Sequence, residues 1–426
     1  MDAKRSLLPV ECRQERDKML SVGIDTHQKM HQVEVQNHDE KVMWRGQIFN
    51  NRKGFEELIS KLKTIEKNNG DRIKGIFMNP TGNYHVPLQH FLETEGYRVI
   101  YVDPRVTDYA RKMSNLGKEK SDTVDAAMLA STPWKDKKAF DKKTHRREPV
   151  SELTRLRESV SRNVTRITNL IGSDLACVFP EYTEIFPDID STTSLAILEQ
   201  FTTPSGIVDA GIEKLFIVVK KSSRGHYSED DAKDLMEIVG NSVGIPDPGN
   251  VYAFRIRQNV ARLISEKKHK KEIEDRIIKL TEDDENVKNI DDMKGIGPVN
   301  AASIVSEIGD IEQFDSALKL QSYGGKVPSM SGSGGKDHAT GISTVRNAYL
   351  SNSAYESAKS LVYHKNEEFL MLYEREIQKG KKVKQAYIIV ARRLLYHVYS
   401  IMKNRKPYRV RLPRTKEGEG DTSTAG

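Results

Sequence analysis

The stretch Met19-Leu20-Ser21-Val22-Gly23-Ile24-Asp25 decides the fold. It reads as a strand that ends on a carboxylate. A second alternating run, His31-Gln32-Val33-Glu34-Val35, follows at once, and a third strand is expected over Val42 to Phe49. A helix fits Gly54 to Ile65, with Phe55, Leu58, Ile59 and Leu62 on one face. Strands follow at Ile73 to Met78 and Tyr97 to Val102, around a helix near Val86 to Glu93. Three early strands followed by alternating helix and strand is the order of an α/β domain.

Beyond residue 150 the pattern changes. Leu153, Leu156, Val160, Val164, Ile167 and Ile171 recur at three- and four-residue steps among Arg155, Arg157, Arg162 and Arg166, which describes a long amphipathic helix with a basic face. A second such helix is expected from Val251 to Leu280, and the two can pair as an antiparallel coiled coil or serve simply as bundle helices. Residues 178 to 250 read as a smaller, mostly helical insertion. Past 290 the chain turns mainly helical again, with a glycine- and serine-rich loop expected at Ser329 to Gly335 and a disordered tail beyond Glu417. The organisation expected is therefore 1–145 as an α/β catalytic domain, 146–285 as a coiled-coil and helical insertion domain, 286–405 as a mainly helical C-terminal domain, and 406–426 as a basic, then disordered tail.

The chain has 426 residues, more than one ordinary core accommodates. Its two cysteines, Cys12 and Cys177, make neither a zinc site nor a disulfide framework, so a reducing cytoplasm is expected. No run approaches the roughly 18 apolar residues of a membrane helix. The formal charge of +7 and a pI near 9.0 suit a partner with a phosphate backbone, though composition alone does not decide it.

Three aspartates carry the first chemistry. Asp25 ends the first strand, and Asp122 and Asp125 lie three apart, a spacing that places both on one helix face. A lone aspartate is usually a solvated residue or a helix cap. An acid on a first central strand with an acid pair on a later helix is, however, how RNase-H-like nucleases converge carboxylates on divalent metal. Further on, Lys294-Gly295-Ile296-Gly297-Pro298 lies between two short helices in a helix-hairpin-helix pattern, whose glycines let backbone N–H groups approach a phosphate. Such hairpins can be purely structural. Basic runs at Lys379 to Lys384 and from Lys403 to Arg414 favour nucleic acid, with Tyr408 as weak evidence for base stacking.

These segments resemble the DEDD transposases of the insertion-sequence "one-ten" family, relatives of the Piv DNA invertase and bridge-RNA-guided recombinases. The matching segments are Gly23-Ile24-Asp25, Pro80-Thr81-Gly82-Asn83-Tyr84, Val102-Asp103-Pro104-Arg105, Lys120-Ser121-Asp122 with Asp125-Ala126, Phe179-Pro180-Glu181, Lys294 to Pro298, and Glu307-Ile308-Gly309-Asp310 with Phe314. Tyr323-Gly324-Gly325-Lys326-Val327-Pro328 resembles the family's step before its serine loop, and Gly341-Ile342-Ser343 leads on to Asn347 and Leu350. The resemblance implies a RuvC-like N-terminal domain that binds Mg2+ (or Mn2+), and a C-terminal transposase domain whose serine attacks DNA to form a covalent intermediate. It also implies donor and target DNA as partners, a noncoding bridge RNA, a homo-oligomer (dimer or tetramer), no membrane, and a prokaryotic, nucleoid-associated location.

Carried over by position, the resemblance makes Asp25, Asn79, Asp122 and Asp125 the metal ligands and, with Ser333, the catalytic set. At Asn79 the family has a glutamate, so here a neutral carbonyl oxygen stands in for a carboxylate. Ser331 also precedes a glycine and is the alternative nucleophile, with Ser329 behind it. Lys294, Gly295, Gly297, Arg155, Arg162 and Arg166 are the expected nucleic-acid contacts. The competing readings are a RuvC-like junction nuclease that activates water at the same acids, and an inactive nucleic-acid-binding descendant.

Overall fold

Strand β1 (Met19–Asp25) lies at the centre of a five-stranded sheet with β2 (Met30–Asn37), β3 (Val42–Phe49), β4 (Arg72–Met78) and β5 (Val99–Tyr101), in the order β3-β2-β1-β4-β5. The computed structural model describes residues 19–80, 82–102, 121–135, 149–333, 336–342 and 346–410, and over 328–342 it describes the backbone path alone. β1 is antiparallel to β2, with Asp25 opposite Gln32, and parallel to β4, with Ile24 opposite Met78. Two units divide the chain, 1–146 and 147–426.

Alternation along β1 sorts its side chains onto two faces. Leu20, Val22 and Ile24 join a core with Phe55, Leu58, Ile59 and Leu62 of helix α1 (Arg52–Asn69) and Leu88 and Leu92 of α2 (Val86–Thr94). Each such side chain, withdrawn from water, contributes roughly 2 kcal/mol. Helix α1 outruns its apolar stripe because Asn51 caps its start and Gly70, in the left-handed region, closes it. Ser21, Gly23 and Asp25 face the other way, toward helix α3 (Asp122–Lys135). A Cβ on Gly23 would lie 2.1 Å from Ala126 O and 2.3 Å from Ala130 N, so only glycine lets this helix backbone sit on the strand. Ser21 Oγ donates to Ala130 O, and Gln36 Nε2 donates to Ala127 O at 3.3 Å, which fixes the helix along β1 and β2.

In the second unit, α4 (Pro149–Val178) opens a helical array with α5 (Tyr182–Ile185), α6 (Thr192–Gln200), α7 (Pro204–Ser222), α8 (Glu229–Gly240) and α9 (Val251–Thr281). Arg157 Nε donates to Glu274 Oε1 at 2.8 Å, Asn163 Nδ2 to Glu266 Oε1 at 3.5 Å, and Arg255 Nη2 pairs with Asp174 Oδ1 at 2.9 Å. Partners that descend in number along α9 as they ascend along α4 mean that the two helices run antiparallel. One core holds Ile167, Ile171, Val260 and Leu263 with the helices between them, and another takes Val160, Ile273 and Ile277 into the helices that follow.

Those are α10 (Glu285–Asp291), α11 (Pro298–Ile308), α12 (Ala317–Tyr323), α13 (Ala348–Tyr363), α14 (Glu367–Gln378) and α15 (Val383–Asn404). The expected serine-rich loop is instead a two-stranded hairpin, β6 (Pro328–Ser333) and β7 (Lys336–Ile342), with Ser331 opposite His338 and Ser333 opposite Lys336. The physical reason is visible in the sequence: Gly334-Gly335 is a two-residue hairpin signal. Ser343, Asp103 to Lys120, Thr81, Arg411, Arg414 and the expected disordered tail lie outside the described residues.

Candidate metal centre

Asp25, at the end of β1, is only 5% exposed. Two residues on, His27 stands on the same side of the chain. Its Nε2 lies 3.0 Å from Asp25 Oδ2 and 3.3 Å from Asp122 Oδ2, and candidate ligand atoms of all three residues fall within 4.8 Å of one another. Asp122 and Asp125 occupy the first turn of α3, where Ser121 O accepts from the backbone N–H groups of Val124 and Asp125. Burial pushes the Asp25 carboxyl above its ordinary range. His27 opposes the rise by charge and hydrogen bond, and the charges of Asp125 and Asp122 add to it. Two carboxylates and an imidazole this close form a group that could hold a metal ion, with the charge of Asp125 acting on it as well.

Asn79 follows β4, and the register Ile24 to Met78 places it level with Asp25 on the neighbouring parallel strand. Its backbone oxygen accepts from Thr26 Oγ1 at 3.0 Å. Its side-chain Oδ1 is buried and, among the described residues, without a hydrogen-bond partner. Such an acceptor costs about 1–3 kcal/mol unless something electropositive meets it. Carboxylate and amide oxygens are the hard donors that magnesium takes, so the residues present fit that ion. His27 was not expected here. The signal for it was its position two residues after Asp25, which in extended chain puts both on one side.

The other expected residues lie in the second unit. The backbone puts Ser331 and Ser333 on strand β6. Gly295 has φ +102° and a Cβ there would lie 3.0 Å from Leu361 Cα, so it packs the 294–298 turn onto α13. Gly297 faces open space at the start of α11, and Lys294 is exposed. Arg155 is engaged internally: it donates to both oxygens of buried Glu307 at 2.7 and 2.8 Å and lies 4.5 Å from the Tyr349 ring. Arg162 is exposed and paired with Glu158 on its own helix, and Arg166 is exposed. Tyr408 is anchored in the fold, its hydroxyl donating to Glu368 at 2.7 Å.

Comparison with known proteins places this arrangement in a class. A DEDD transposase profile of IS110 type matches residues 22–180, and the IS116/IS110/IS902 transposase family profile matches residues 287–374. The protein is a transposase, an enzyme whose substrate is DNA. It belongs to the IS110 family of DEDD transposases. A protein of insertion element IS110 from Streptomyces coelicolor is 22% identical over 71% of this chain and 76% of its own length. A transposase for insertion sequence element IS1111A from Coxiella burnetii is 27% identical over 31% of this chain and 36% of its own length. A pilin gene-inverting protein from Moraxella bovis is 28% identical over 28% and 37%. No helix among the described residues is long and apolar enough to cross a membrane.

Proposed function

We propose that this transposase cuts and rejoins DNA through Ser333, assisted by a magnesium site on Asp25, Asp122 and Asp125 with the Asn79 carbonyl oxygen, and that a bridge RNA selects its donor and target. The observation that carries the reading is the meeting of Asp25 and Asp122, far apart in the sequence of the first unit, at His27, with Asn79 following the strand paired to β1 and its Oδ1 without a hydrogen-bond partner among the described residues. Magnesium bound there would offset the negative charge that builds on a phosphodiester under attack. The chain's own part is to hold the donors ready: Gly23 seats α3 on β1, Ser121 holds the helix start that carries Asp122 and Asp125, and Thr26 fixes Asn79. The strand order, with the acid on the central strand, supports an RNase-H-like, RuvC-type description of this domain.

In the proposed reaction the Ser333 hydroxyl attacks phosphorus. The Oγ–H bond gives up its proton as an Oγ–P bond forms, the P–O bond to the departing strand end breaks and that oxygen takes up a proton, and the covalent intermediate keeps the phosphate for rejoining. The 294–298 turn as a helix-hairpin-helix, the exposed Arg162 and Arg166, and α4 with α9 as an antiparallel coiled coil are the parts assigned to nucleic acid and to assembly as a dimer or tetramer. The domain division proposed is 1–145, 146–285 and 286–405, with the basic stretch from 406 as a tail.

The test is Asp25→Asn and Asp122→Asn, read by manganese-binding calorimetry and by strand transfer on element-end DNA. Both variants should lose the metal isotherm and drop strand transfer by about 100-fold or more. Full metal binding in both would sink the assignment.

A further inference from the structure

At the root of the β6–β7 hairpin lies a cavity of about 420 Å³ whose lining includes Lys326, Arg346, Lys384, Ser351, Asn352 and Tyr355. Three of these are cations. The carboxylate of Glu356 also borders it, but Lys359 pairs with that group at 2.7 Å. Ser351 and Asn352 belong to the opening turns of α13 and Lys384 to the first turn of α15, so the positive ends of two helix dipoles converge on the same space.

Lys326 is the informative member. It is 5% exposed, its ammonium sits 5.6 Å from the centre of the Tyr355 ring, and among the described residues no carboxylate forms an ion pair with it. Lysine is almost never buried this far without a counter-charge. Burial, and then the charge of Arg346, holds its pKa down to about 8. The backbone enforces the arrangement: Gly325 adopts φ +62°, and a Cβ there would lie 2.2 Å from Arg346 Cδ, so glycine is what allows the arginine to cross beside the lysine. Asn347 N donates to Tyr323 O at 2.8 Å and ties together the two ends of the segment that carries the hairpin.

We propose that this cavity binds a backbone phosphodiester of the DNA substrate, with Lys326, Arg346 and Lys384 as its cationic contacts. The inference rests on the transposase reading and deepens it. A strand advances about 3.3 Å per residue, so Ser333 lies roughly 17 Å along β6 from Pro328. The phosphate held at the root is therefore a flanking one, which sets the register of the strand against the hairpin, and not the one under attack.

The experiment measures anisotropy of a short labelled DNA duplex and of a single-stranded RNA across a salt series, for wild type, Lys326→Met and Lys384→Gln of the full chain. Each variant should bind duplex DNA about tenfold more weakly, with the slope of log affinity against log salt flatter by about 0.9, the value of one phosphate contact. Lys326→Met should melt no lower than wild type, because it removes a buried charge; this separates lost contact from lost fold. Wild-type affinity and slope retained in both variants would overturn the proposal. A loss confined to RNA would overturn the commitment to DNA. Strand transfer by wild type is scored separately, so failure of the recombination reading is distinguishable from failure of the cavity.

Discussion

Asn79 places a neutral amide oxygen where the sequence resemblance implies a glutamate, and its Oδ1 is buried without a partner among the described residues. A carboxylate there adds attraction for a divalent cation, and also a further negative charge beside Asp25, whose own carboxyl is already pushed up by burial and by Asp125 and Asp122. With the ion bound, its double charge dominates. Asn79→Glu is therefore expected to tighten magnesium binding by about tenfold, or 1.4 kcal/mol, and to raise strand transfer at limiting metal. Titrating magnesium against strand transfer for both proteins checks it, and coincident midpoints would mean that residue 79 is no ligand. At this scale the placement of Asp25 at a strand end and of Asp122 and Asp125 in one helical turn was legible from spacing, because strand and helix periods dictate which residues share a face. Arg155 was not: its role depends on Glu307, distant in sequence, and no local pattern announces that the two will meet.

Among elements, the contact between β1 and α3 is what turns sequence order into a site. Gly23 has no room for a methyl group, with Ala126 O and Ala130 N at 2.1 and 2.3 Å from where it would sit. Gly23→Ala should force α3 off the strand, cost about 3 kcal/mol of stability, and carry Asp122 and Asp125 away from Asp25. Urea unfolding gives the first number and manganese affinity the second; a variant that loses neither would show that the helix does not depend on this approach. The strands and the two long helices could be read from period-2 and period-3.6 patterns, while their order in the sheet could not. The hairpin at β6 and β7 was missed because serine and glycine carry little strand propensity, and its one clear signal was the Gly334-Gly335 pair.

For the whole molecule, the two units carry separate parts of the proposed chemistry, and the second depends on buried ionic contacts that no sequence pattern predicts. Glu368 is one: burial would raise its pKa, but hydrogen bonds from His397, Tyr408 and Arg393 outweigh burial and hold it at about 2. A carboxylate depressed by folding contributes stability that is fully present above its unfolded value and is lost as pH falls through the folded one. Acid unfolding should thus draw on Glu368 between about pH 4.5 and 2. Glu368→Gln should cost about 3 kcal/mol at neutral pH and flatten the acid limb, as thermal melts across that range would register. An acid limb unchanged in the variant would show that the group does not feel folding.

The central claim, that a serine in the second unit attacks DNA with help from the acids of the first, is tested most directly by trapping the protein on element-end DNA with magnesium and sequencing the modified peptide. The account predicts a covalent adduct at Ser333, abolished in Ser333→Ala and in Asp25→Asn and retained in Ser331→Ala. Cleaved DNA with free ends and no adduct in wild type would contradict it, and would point to water as the nucleophile at the acidic site.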